Sequence, residues 1–190
     1  MKKLIFIIAI LYTSILNAQS FMGISIDGSQ EMIKSKLIAK DFKLIRGNQS
    51  GYFYKGKLNN ENISITVLAT PKSQQVYTFL IMYEDIIDSW NSLQLDFNKR
   101  NEILVNKYGE PLKEVRDYEY PFKEGDEFSL LALESGKINY VNVWGSVGEN
   151  KNLSILLSIT KEKNITLLYM NVKNRSIAKK EQSVINNDAY

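Results

Sequence analysis

Apolar residues recur at helical spacing in one long stretch of the chain. Between residues 86 and 108 they are separated by 4, 3, 4, 7 and 4 positions, which places them on one face of a helix. Asp85 can cap the first turn, and Gly109 followed by Pro111 predicts the end of the helix. Such a stripe is typical of a helix that packs on a core. Its members are Ile86, Trp90, Leu93, Phe97, Leu104 and Tyr108.

Two shorter segments also favour helix. Met32, Ile33 and Leu37 recur at helical spacing, so the pattern predicts a helix over 29–41 that Ser29 or Asp27 can cap. The segment 126–135 is rich in Leu, Ala and Glu and is followed by Gly136, which favours a short helix. A strand over 126–135 is the alternative.

Elsewhere the apolar residues alternate, as in strands. Residues 21–26 predict a short entry strand, and 42–83 predict several strands in hairpin order, with turns at Gly47-Asn48 and Asn59-Asn60. A further strand is expected over 112–120. Three more follow before residue 173, with turns at 148–150 and 162–164. Short β-rich runs separated by Asn, Gly and Pro are typical of an antiparallel meander.

The order of these elements is helix and strands, then helix and strands again. It predicts an α+β fold with two helix-then-antiparallel-meander repeats, near 27–84 and 85–173, in a single domain over 19–173. We expect one antiparallel sheet with helices packed on one face and its other face partly open to solvent. Residues 174–190 are polar and predict a frayed C-terminal tail or a marginal terminal helix.

The first residues have the layout of a secretory signal peptide. Two lysines precede an apolar run over 4–16, and Ala18 stands just before polar residues. This predicts a signal peptide over 1–18, cleaved after Ala18 or alternatively after Ser20, and a periplasmic or secreted protein. This run has only thirteen positions, two of them the polar Thr13 and Ser14, which is too few for a spanning helix that needs about 20 apolar residues. We therefore expect no membrane span in the mature chain.

Charge and composition narrow the chemistry. The predicted signal peptide carries two of the 24 Lys and Arg, so its removal lowers the net charge from +3 to +1. Charges of both signs are interspersed along the chain, so the sequence does not predict the concentrated basic surface that is typical of nucleic-acid binding. The chain has no Cys and no His, which excludes thiol nucleophiles, serine–histidine triads and HExxH zinc sites. We expect no cofactor, no catalytic residue and no metal site.

One acidic cluster is the strongest candidate for chemistry. A pair of its carboxylates could support glycoside hydrolysis, but the interleaved Lys113, Arg116 and Lys123 favour a solvated loop region. A carboxylate-dependent hydrolase of the cell envelope is therefore one alternative function. The cluster consists of Glu114, Asp117, Glu119, Glu124, Asp126 and Glu127.

Tyrosines on the predicted strands suggest a binding function. Tyrosine is an effective interface residue, and alternation along a strand could place some of these rings on the open face of the sheet. The sequence thus predicts a non-catalytic module that binds a protein, peptide or glycan across that face. A structural component of an envelope complex is the other alternative. The candidate residues are Tyr52, Tyr54, Tyr77, Tyr83 and Tyr140.

Several short motifs resemble those of uncharacterised exported proteins of Gram-negative bacteria. They are Gly-x-x-Ile-Asp-Gly at 23–28, Trp-x-x-Leu at 90–93 and Lys-Tyr-Gly-x-Pro at 107–111. This resemblance implies export and brings no catalytic residues. The doubled helix–meander order is also similar to the β-lactamase inhibitory proteins and to small outer-membrane assembly accessory lipoproteins, which bind other proteins. The chain differs from the latter group because it has no cysteine to carry a lipid.

Overall fold

Ten strands and four helices make up residues 20–147 and 151–188, which the computed structural model describes. The helices are α1 (Gln30–Ile38), α2 (Trp90–Tyr108), α3 (Ser129–Glu134) and α4 (Val172–Asp188). The strands are β1 (Ser20–Phe21), β2 (Ile24–Ser25), β3 (Lys43–Asn48), β4 (Gly51–Leu58), β5 (Glu61–Ala69), β6 (Val76–Tyr83), β7 (Lys113–Tyr118), β8 (Ile138–Val147), β9 (Leu153–Ile159) and β10 (Ile165–Asn171).

Eight of the strands form one antiparallel sheet, so the predicted α+β class is confirmed. Their order is β3-β4-β5-β6-β10-β9-β8-β7. The first four strands form one meander and the last four form another, and the two meanders join where β6 pairs with β10. One helix, α1, precedes the first meander and α2 precedes the second, while α3 lies between β7 and β8.

The core lies between one face of this sheet, which we call the inner face, and α1, α2 and α3. Alternate residues of the central strands are fully buried there, because successive side chains of a strand point to opposite faces. Each large apolar side chain buried in this way stabilises the fold by about 1.5–3 kcal/mol. The buried set includes Ile33, Leu37, Ile63, Ile65, Val67, Phe79, Ile81, Leu93, Phe97, Ala132, Leu133, Trp144, Ile155 and Leu157.

Helix caps explain where the two main helices begin. The hydroxyl of Ser29 accepts a hydrogen bond from the Met32 amide at 3.3 Å, so α1 begins where the sequence predicts. The expected start of α2 near Ile86 is wrong. Ser89 caps α2 instead of Asp85, and Ile86 lies outside the helix with 67% of its surface exposed. The C-terminal prediction is confirmed, because Gly109 ends α2 with a φ of +80°.

The smaller elements agree with the sequence prediction in part. The single entry strand is a small hairpin of β1 and β2, in which Met22 and Gly23 both have positive φ. Residues 129–134 are helical, which excludes the strand alternative. The C-terminal segment forms the 17-residue helix α4, which is the terminal-helix alternative of the prediction and not the frayed tail.

Contacts with the β5–β6 turn hold α4 in place. The Glu181 carboxylate accepts hydrogen bonds from the backbone amides of Lys72 and Ser73. Ala178 of the same helix is buried. Within the described residues, no helix has the length and apolar content needed to span a bilayer. The predicted signal peptide, its cleavage point after Ala18 and the turn at 148–150 lie outside the described residues.

Candidate functional site

Three of the five candidate tyrosines cannot form an open binding face. Tyr54, Tyr83 and Tyr140 are 0%, 7% and 6% exposed, because each shares the inner face with the aliphatic core. Tyr140 packs edge-on against Trp90 and Phe97, with ring centroids 5.5 and 4.9 Å apart. The prediction of an exposed surface is therefore wrong for these three residues.

The other two tyrosines are half-buried and lie in separate places. The ring centroids of Tyr52 and Tyr54 are 6.1 Å apart. The ammonium nitrogen of Lys34 in α1 lies 5.5 Å from the centroid of the Tyr52 ring. Tyr77 lines a shallow depression beside α4, together with Ala178 and other residues of that helix. The five tyrosines thus do not make a common site.

The opposite face of the sheet, which we call the outer face, carries a continuous cross-strand row. Directly paired residues run from the β3 edge to the β7 edge, and we call them the outer row. Its fourth to seventh members are aliphatic and half-buried, and a cation stands at each end. In order, the outer row is Arg46, Phe53, Thr66, Leu80, Leu168, Leu156, Val143 and Lys113.

A second row lies beside the outer row and is more polar. Three of its members carry hydroxyl groups, and two of these, Ser64 and Thr166, are buried. Ser158 and Thr166 hydrogen-bond each other at 2.7 Å between their oxygens. The row is Lys43, Lys55, Ser64, Met82, Thr166, Ser158, Val141 and Val115. Together the two rows make a mixed apolar and hydroxyl surface of the kind that can exclude water without burying an unpaired charge.

Basic side chains border this surface at the β3–β4 edge. The guanidinium of Arg46 lies 5.3 Å from the centroid of the Phe53 ring. Lys55 pairs with Glu84 at 2.7 Å, while Lys43 and Lys57 are exposed on the same side of the sheet. The edge is therefore net positive and would favour a partner that carries acidic groups at the matching position.

Helix α4 approaches the outer face at one end only. Arg175 in its first turn lies 2.8 Å from the sulfur of Met170, which pairs across the sheet with Thr78 and Ser154. Helices α1, α2 and α3 place their buried residues in the inner core. Within the described residues, the centre of the outer row is therefore free of a covering helix.

A buried polar cluster on the inner side joins α2 to the sheet. The Arg100 guanidinium makes two hydrogen bonds to Glu61 at 3.1 and 3.2 Å and two more to Asp96. It also stacks on the Tyr83 ring, 3.3 Å from the centroid. Burial disfavours the charge of Arg100, but these hydrogen bonds outweigh burial and raise its pKa. Burial likewise raises the pKa of the Tyr83 hydroxyl.

The acidic cluster at 114–127 is dispersed. Glu114 and Asp117 lie on opposite faces of β7, and Glu114 pairs with Arg116 at 3.3 Å. Glu119 forms an ion pair with Lys137, and the Asp126 carboxylate accepts a hydrogen bond from the backbone amide of Phe128. Within the described residues, no group of three or more acidic side chains is placed to hold a metal ion. Local pairing and turn formation account for these carboxylates.

Sequence reasoning missed the outer row for a physical reason. Leu80 and Leu168 are 88 positions apart in the chain and meet only because β6 pairs with β10. A local signal that could have indicated the outer row is an aliphatic residue that has a hydroxyl residue two positions before it and two positions after it. In β9, Leu156 stands in this way between Ser154 and Ser158. Comparisons with protein-family models, with curated proteins and with solved structures gave no match to this chain.

Proposed function

We propose that this protein is an exported, non-catalytic binding module that docks a protein partner on its outer face. The observation that carries the proposal is the outer row. Its aliphatic centre, Leu80, Leu168, Leu156 and Val143, crosses four neighbouring strands and has no covering helix within the described residues. Contiguous apolar surface bordered by polar and charged groups is typical of a protein interface.

We further propose that the chain contains two divergent copies of one helix–meander unit, near 27–84 and 85–173. The sheet order supports this, because each helix precedes four strands and the last strands of the two meanders pair at the centre. A duplicated unit of this kind would give a broad continuous sheet, and a broad sheet offers one wide docking surface. Export rests on the signal-peptide pattern at 1–18.

Paired substitutions test the docking surface. The Leu156→Lys variant places a charge at the centre of the outer row, and Leu95→Lys makes the same chemical change on α2, where Leu95 is 71% exposed. We expect wild-type protein and Leu95→Lys to retain the same partner protein from an envelope extract, and Leu156→Lys to lose it. Far-ultraviolet circular dichroism establishes that both variants are folded. Equal retention by the three proteins would contradict the proposal.

A further inference from the structure

A cavity of about 360 Å³ lies on the other side of the molecule from the outer row. It opens to solvent and is lined by the β1–β2 hairpin, by the turn between β4 and β5, by α2 and by the inner face of the sheet. Its size is at the small end of the range of ligand sites, about 300–1,000 Å³. Most of its walls are apolar, and they include Phe21, Leu58, Ile103, Leu104, Leu167 and Tyr169.

Three basic residues also line this cavity, and they differ in their partners. Arg100 is neutralised by Glu61 and Asp96. Lys107 has no carboxylate partner among the described residues, and its ammonium donates to the backbone oxygen of Ser20 at 2.7 Å. An ammonium has three donors, so further donors remain for a ligand. Lys99 lines the cavity as well and is exposed.

The position of Lys107 makes it the anion site of the cavity, because its hydrogen bond to Ser20 holds the ammonium at the cavity wall although the side chain is exposed to solvent. Partial burial lowers the pKa of Lys107, since the charged form has lost part of its hydration. The ammonium attracts a negative charge that enters the cavity, and solvent screens part of this attraction because Lys107 is exposed. The Lys107 ammonium and the apolar walls therefore favour a ligand with one anionic head and one apolar tail.

We propose that this cavity binds a single-chain aliphatic carboxylate. The alkyl tail packs among Leu58, Leu104 and Leu167, and the carboxylate accepts a hydrogen bond from Lys107. The volume suits a chain of about ten carbons. This site is separate from the outer row, so the two proposals can fail independently.

Calorimetric titration of the protein, purified after expression of the full chain, tests the site with sodium decanoate as the probe. We expect saturable binding of one decanoate per chain and at least tenfold weaker binding of decanol, which has the same tail without the charge. An absence of saturable decanoate binding would overturn the proposal. Equal affinity for decanol would overturn the assignment of an anion site.

Three variants locate the binding. Lys107→Met keeps the length of the side chain and removes its charge, and it should weaken decanoate binding about tenfold or more. Lys36→Met removes one exposed positive charge from α1 and should leave decanoate binding unchanged. Ile103→Glu places a negative charge in the cavity wall at a residue that is 61% exposed, and it should abolish decanoate binding. Unchanged affinity in both cavity variants would contradict the proposed site.

Discussion

Replacement of Arg100 by methionine should strongly destabilise the fold. The substitution keeps most of the packing of the side-chain stem but leaves Glu61 and Asp96 without their partner. The Arg100 side chain is 10% exposed, and those of Glu61 and Asp96 are 29% and 20% exposed. Loss of one member of a buried ion pair costs about 3–5 kcal/mol.

Two further contributions set the size of the effect. Solvent reaches both carboxylates and screens part of the unpaired charge, which lowers the cost. Loss of the guanidinium stacked on Tyr83 adds up to about 2 kcal/mol. We therefore expect Arg100→Met to lower the free energy of unfolding by about 2–4 kcal/mol. For a chain of this size, the melting temperature should fall by about 5–15 °C.

Urea unfolding followed by circular dichroism measures this change. Lys99→Met, at the neighbouring exposed position, is the matched control and should stay within about 0.5 kcal/mol of wild type. In a double-mutant cycle, Arg100→Met and Glu61→Gln should show a coupling energy of about 1 kcal/mol or more. A loss below about 0.5 kcal/mol for Arg100→Met would refute the view that this cluster fastens α2 to the sheet.

Three other changes test particular contacts. Tyr54→Phe should leave the free energy of unfolding unchanged or raise it by up to about 1 kcal/mol in urea unfolding, because the buried Tyr54 hydroxyl has no hydrogen-bond partner within the described residues. Trp144→Phe should cost about 1–3 kcal/mol in the same assay, since it removes the 2.8 Å hydrogen bond from the indole to the Gly109 carbonyl and leaves a small void. A side-chain hydrogen bond with Ser73, followed by the backbone amides of Lys72 and Ser73, lowers the pKa of Glu181. Its stabilisation of α4 is therefore present above its ordinary pKa and is lost as pH falls through the lowered value. In wild-type protein the amides of α4 should therefore be better protected from hydrogen exchange than in Glu181→Gln near pH 6, and the difference should disappear as the pH is lowered through the depressed pKa of Glu181.

Local signals predicted the elements of this fold better than their boundaries. Gly109 and Pro111 predict the end of α2 because glycine readily adopts the positive φ that ends a helix and proline cannot donate a helical hydrogen bond. The start of α2 was misplaced because Ile86 fits the helical period and Asp85 can act as a cap, yet Ser89 provides the cap that forms. Periodicity alone does not distinguish the first turn of a helix from an extended segment that precedes it.

The faces of the sheet were harder to predict than its strands. Strands with apolar residues in both alternating sets, such as β6 and β10, do not reveal which set faces the core. Tyr54, Tyr83 and Tyr140 follow the set that faces α1 and α2, so they are buried. The outer row depends on the pairing of β6 with β10, a contact between distant parts of the chain that no local pattern encodes.

The most direct test of docking on the outer face is site-specific photo-crosslinking in cells that export the protein. A photoreactive amino acid replaces Leu156 at the centre of the outer row or, as the control, Leu95 on the exposed side of α2. Docking on the outer face predicts one discrete crosslinked protein from position 156 and none from position 95. The absence of a crosslink at position 156, or the same crosslink from both positions, would contradict it.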